Sequence, residues 1–157
     1  MEPAPVYQLL ADLPPERLTA FYEALPEEMR QALDAPVARV LNARLPSVRR
    51  QPPALKVRAL RAWLIRERDE ALAGEMLRSY FLGPRKDLVV AFLDATGVKH
   101  KDGQVDGDSG PEPAKVGEAV KALLAKHDRE DVRLYLRIAA VQWPDVKELG
   151  EASAAAG

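Results

Sequence analysis

The stretch Pro53–Leu82, PALKVRALRAWLIRERDEALAGEMLRSYFL, decides the fold class. Its apolar residues recur at spacings of three and four, the period of a helix, rather than two. Val57, Leu60, Trp63 and Leu64 make one stripe, and Leu72, Met76, Leu77 and Tyr80 make another. At about 100° per residue the second stripe is displaced by more than a quarter turn from the first. The charged run Arg66-Glu67-Arg68-Asp69-Glu70 lies between them. It holds no proline or glycine, the residues that usually break a helix. Either the long helix bends at this run or its halves pack on different neighbours, and the missing breaker favours the second. A contact between copies of the chain is an alternative use for the turned stripe.

Toward the N-terminus, prolines divide the chain into short helices. Leu13-Pro14-Pro15-Glu16 and Leu25-Pro26-Glu27-Glu28 each read as a helix start. Proline suits the first turn because its missing N–H would be unpaired there, and acids suit the positive end of the helix dipole. Pro36 interrupts or restarts the next helix, which ends near Leu45-Pro46. Toward the C-terminus, Gly83-Pro84 closes the long helix. Leu88 to Leu93 reads as a buried central helix, with a buried strand as its rival. Asp102-Gly103 between short flanks is a two-residue hairpin signal. Val116, Ala119, Val120, Leu123 and Leu124 form an amphipathic helix. Asp128, with Asp131 three residues on, resembles a capping box that opens a final helix ending at Pro144.

These readings give an all-α fold, a helical bundle of about six or seven helices with one short β-hairpin or turn near residues 98–106. The expected organisation is a main bundle over 1–97 and a hairpin and polar linker over 98–111. A C-terminal helix pair over 112–144 packs on the bundle, and a tail covers 145–157, its end from Glu151 to Gly157 expected to fray. The 157 residues match the size of one ordinary domain, and 47% apolar content is enough for a core. The near-balanced charge, −1 overall, argues against disorder. With no cysteine, disulfides, thiolate metal sites and a cysteine nucleophile are excluded. No basic leader and no long apolar run is apparent, so a cytoplasmic location without membrane contact is expected. The abundance of Ala, Leu, Arg and Pro suggests a bacterial source with a GC-rich genome.

The sharpest functional signal is a charge asymmetry. From Ala35 to Arg66 there are eight basic residues (Arg39, Arg44, Arg49, Arg50, Lys56, Arg58, Arg61 and Arg66) and no acid, inside a chain with 23 basic and 24 acidic residues. Arginine's planar fork donates in pairs to carboxylate and phosphate. The segment is therefore a candidate docking surface, with Arg49, Arg50, Lys56, Arg58 and Arg61 as its partner-binding residues. The competing reading is that acidic helices of the same chain pair with it, or that it is a solvated surface. Trp63 is the one aromatic nearby and fits the core stripe, so stacking on single strands is not indicated.

Other patterns are weaker. A helix-turn-helix centred on Gly74 fails because Glu70 stands where a small apolar residue packs. Asp102, Gln104, Asp106 and Gly107 partly match a calcium loop, but Pro113 occupies the position of its bidentate glutamate. His100 lies near Asp102 and Asp106 and reads as a surface hairpin residue; His127 suits a helix C-terminus. Tyr80 to Asp87, two aromatics and adjacent bases around a turn, reads as a core anchor with a contact edge as the alternative. No catalytic residue, metal ligand or cofactor motif is identified. The expected function is a non-enzymatic interaction protein, an adaptor or regulator, whose most favoured partner is an acidic protein. The alternatives are a nucleic-acid-binding regulator and a small enzyme or enzyme subunit.

Overall fold

A computed structural model describes residues 4–156. Its helices and single hairpin make an all-α bundle with a short β-hairpin, as expected from the helical period. The chain divides into two compact units with their boundary between Pro84 and Arg85.

The first unit holds α1 (Val6–Ala11), α2 (Pro15–Ala24), α3 (Glu27–Ala32), α4 (Asp34–Leu41), α5 (Leu45–Arg49), α6 (Pro53–Glu67) and α7 (Glu70–Leu82). Prolines start these helices as expected. Pro15 and Pro53 occupy first turns, and Pro14, Pro26 and Pro52 are extended caps just before them. Helix α6 is the hub, packing on α1, α2 and α4, while α7 packs on α1. Leu10, Leu18, Leu33, Leu60, Leu64 and Met76 are fully buried between them. The rings of Phe21 and Tyr80 stack at 4.2 Å, so Tyr80 is a core anchor.

The long helix expected over Pro53–Leu82 is in fact two helices. Arg68 adopts left-handed backbone angles (φ 48°, ψ 49°) and ends α6. Such a conformation costs a non-glycine residue about 1–2 kcal/mol. Hydrogen bonds at the corner offset it. Asp69 caps α7 by accepting from the Leu72 N–H at 3.1 Å and also accepts from Trp63 Nε1 at 3.0 Å. Glu70 reaches across the sequence and accepts from the Val6 and Tyr7 N–H groups, at 3.1 and 2.8 Å, which satisfies the start of α1. The two stripes are separated by a turn rather than carried along one rod, and they share neighbours: both helices pack on α1, and Tyr80 of α7 reaches Phe21 of α2, on which α6 also packs.

The second unit holds α8 (Lys86–Ala95), β1 (His100–Lys101), β2 (Gln104–Val105), α9 (Pro113–Lys126), α10 (Arg129–Gln142) and α11 (Lys147–Ala156). The run Leu88–Leu93 is helical, not a strand. The hairpin pairs Lys101 with Gln104, and its turn residues Asp102 and Gly103 both have positive φ, 53° and 90°. That is the geometry Asp-Gly favours. Asp128 caps α10 by accepting from the Asp131 N–H. Fully buried Phe92 meets Tyr135 edge to face at 5.3 Å.

Two boundaries differ from expectation. Helix α8 belongs with the C-terminal helices and packs on α9, so the division falls at 84/85 rather than at 97. The segment expected to fray from Glu151 is, over the described residues, part of helix α11, which packs on α9 and α10 and buries Leu149 and Ala156; Gly157 lies outside the described residues. Its alanines are the best helix formers, and Leu149 anchors it to the core. The linker between hairpin and α9 is also tied down. Ser109 accepts from the Lys99 N–H through its hydroxyl and from Trp143 Nε1 through its carbonyl, and the Glu112 N–H donates to the Thr96 carbonyl.

Candidate functional site

Helices α2 to α6 of the first unit enclose a polar cleft of about 340 Å³ lined by Tyr22, Glu27, Arg30, Gln31, Asp34, Arg49 and Lys56. Asp34 lies in the first turn of α4, and its side chain is only 7% exposed. Two cations approach it, Arg49 Nε from α5 and Lys56 Nζ from α6, each at 3.9 Å. Lys56 Nζ also donates to the Arg49 carbonyl at 3.5 Å. Arg30 Nε donates to the Leu25 carbonyl, and Gln31 donates to Glu27. Burial raises the Tyr22 phenol above its ordinary value of 10.0, and the Asp34 charge raises it further against an opposing effect of Arg30. The phenol is therefore neutral at physiological pH.

The basic segment divides by environment. Lys56 turns inward to Asp34, with its side chain 14% exposed. Arg61 donates from Nε to the Ala11 carbonyl at 2.7 Å and ties α6 to α1. Arg39 and Arg66 lie over the Trp63 ring, at 5.9 and 5.6 Å from its centroid. Arg50, just past the end of α5, donates to the Pro46 carbonyl of that helix, and Arg49 remains largely exposed. Arg44 and Arg58 are exposed, with no ion pair or side-chain hydrogen bond to the described residues. Of the five residues singled out in the sequence, Arg49, Arg50, Arg58 and Arg61 are thus exposed cations, Arg61 being tethered to α1, while Lys56 turns inward. Among the described residues, the acids paired with the segment are Asp34 and Glu67.

Tyr22, Arg30 and Asp34 did not stand out in the sequence. Asp34 is the acid immediately before the acid-free segment, and that adjacency was the available signal. His100, placed near Asp102 and Asp106 by sequence, pairs instead with Asp94 of α8, Nε2 to Oδ1 at 2.6 Å. Its Nδ1 accepts from the Gly103 N–H at 3.1 Å, so the ring proton of the neutral form sits on Nε2 and points to Asp94. With both nitrogens engaged, this histidine clamps the hairpin to α8. Among the described residues no three of His, Asp or Glu converge as metal ligands, and no helix is long and apolar enough to cross a membrane.

The chain matches no known family model, no curated protein and no solved structure.

Proposed function

We propose that this chain is a non-enzymatic interaction protein that docks an acidic protein partner through the exposed arginines Arg44, Arg49, Arg50 and Arg58, which lie on α5, at its two caps and on α6. One observation carries the reading. Eight bases stand in a segment without acids, and among the described residues no acid pairs with the exposed Arg44, Arg50 or Arg58, while Arg49 meets Asp34 only at 3.9 Å. Uncompensated surface charge of one sign speeds encounter and orients a partner of the opposite sign. Because these arginines lie at the surface and not in the core, they contribute little to stability. A role in recognition accounts for them better than a role in folding.

The test is charge reversal. Arg44→Glu, Arg50→Glu and Arg58→Glu together should leave the far-UV circular dichroism and melting temperature near those of the parent. They should abolish capture of any acidic protein that the parent retains at physiological salt. A partner held equally by both forms would place the interface elsewhere. Anisotropy titrations with a DNA duplex and an RNA separate out the alternative. Tight binding with affinity falling steeply against salt would replace the acidic protein by nucleic acid.

A further inference from the structure

We infer that the cleft around Asp34 is a binding site for a small hydroxylated anion of the phosphate-ester class. Asp34 would accept the ligand's hydroxyl groups, and Arg30, Arg49 and Lys56 would attract its phosphate. The site goes beyond the docking reading and needs no macromolecule.

The first observation is the incomplete solvation of Asp34. A buried carboxylate normally gathers several short charge-assisted hydrogen bonds, about 2.7–2.9 Å from donor to acceptor. Asp34 has none from the described residues. Its two cations stand off at 3.9 Å, beyond hydrogen-bond reach. The second observation is Tyr22, 4% exposed, whose hydroxyl likewise takes no hydrogen bond from the described residues. No fully buried side-chain polar atom among the described residues lacks a partner. The Asp34 and Tyr22 oxygens therefore open onto the cleft they both line. An acceptor and a neutral hydroxyl face one small space, which is the pattern of a site built to hydrogen-bond a guest.

Charge decides the rest of the guest. The cleft carries three cations, Arg30, Arg49 and Lys56, against two acids, Glu27 and Asp34. This excess favours an anion. An ammonium donor is a poor match for Asp34, because it would be a third cation beside Arg49 and Lys56. A hydroxyl donates without that repulsion. Arg49, 66% exposed, stands at the rim and presents the planar fork suited to phosphate. A volume of about 340 Å³ lies in the usual range for small-ligand clefts.

The experiment is a two-dimensional amide NMR titration of the full chain with ribose 5-phosphate, glucose 6-phosphate and glycerol 3-phosphate. Inorganic phosphate and the unphosphorylated parents serve as controls. At least one ester should shift amides of α3, α4 and α5 and bind about tenfold or more tightly than either class of control, a difference of about 1.4 kcal/mol. Asp34→Asn should remove most of the preference for the ester over inorganic phosphate. Arg49→Gln, a change at an exposed position that should not disturb folding, should weaken the ester about tenfold. The inference is overturned if no ester shifts these amides at millimolar concentration, if inorganic phosphate binds as well as the esters, or if Arg49→Gln leaves the affinity unchanged.

Discussion

Replacing Asp69 by alanine should cost the first unit about 2 kcal/mol, and the figure follows from two bonds at the corner between α6 and α7. One carboxylate oxygen caps α7 through the Leu72 N–H, and the other holds the indole N–H of Trp63. Loss of an N-cap carboxylate is worth about 1 kcal/mol. Leaving a half-buried indole donor without its acceptor adds about 1 kcal/mol more. Asp69→Asn keeps an acceptor of the same reach and a favoured cap residue, so it should lose less than about half as much. The assay is urea denaturation followed by far-UV circular dichroism. Trp63 fluorescence in a Trp143→Phe background reports on this unit alone. With a slope of about 1 kcal/mol per molar, the alanine variant should unfold about 2 M earlier. If alanine and asparagine cost the same, or alanine costs less than about 0.5 kcal/mol, the corner is not held by these bonds.

Two further outcomes are expected. Leu60→Ala should cost about 2–5 kcal/mol and Phe92→Ala about 3–5 kcal/mol, since both side chains are fully buried. Amide exchange should show the largest loss of protection over residues 4–84 for the first and 85–156 for the second; loss spread evenly over both units in each variant would contradict the division at Pro84. Stability should fall at alkaline pH. Burial raises Tyr22 and Tyr135 above the ordinary phenol value of 10.0, so above that pH the unfolded chain releases protons that the folded chain retains. Each phenol then removes up to about 1.4 kcal/mol per pH unit until its folded-state value is reached, and neither contributes any slope below that window. Urea midpoints that stay level from roughly pH 9 to roughly pH 11 would refute this.

The legible parts of the fold were those set by local chemistry. Proline at first turns, Asp128 as a cap and Asp102-Gly103 as a turn all act within a few residues, so sequence alone displays them. The corner at Arg68 was hidden because its compensation is partly long-range. Glu70 reaches back to Val6 and Tyr7, and no window along the chain contains both. Helix α11 was hidden for a related reason: alanines look featureless until Leu149 finds its place between α9 and α10. The basic segment was visible as composition. Its division into untethered surface arginines, an inward Lys56 and an exposed Arg61 tethered to α1 depends on which helices flank α6. Asp34 gave still less sign of itself, since a single carboxylate gains meaning only when α5 and α6 bring cations to it.

The hairpin turn bears on how the polypeptide ages. In an Asp-Gly pair the glycine nitrogen can attack the aspartate side chain, closing a cyclic imide that reopens mainly as isoaspartate. The chain has two such pairs, Asp102-Gly103 and Asp106-Gly107. In the first, the glycine is buried and its N–H is committed to His100. In the second, the glycine is exposed, and a side chain added there would meet nothing within 4 Å. Covalent wear during long storage therefore falls on Asp106, beyond the turn, and the pair that sets the hairpin's register keeps its ordinary backbone for as long as the turn stays folded.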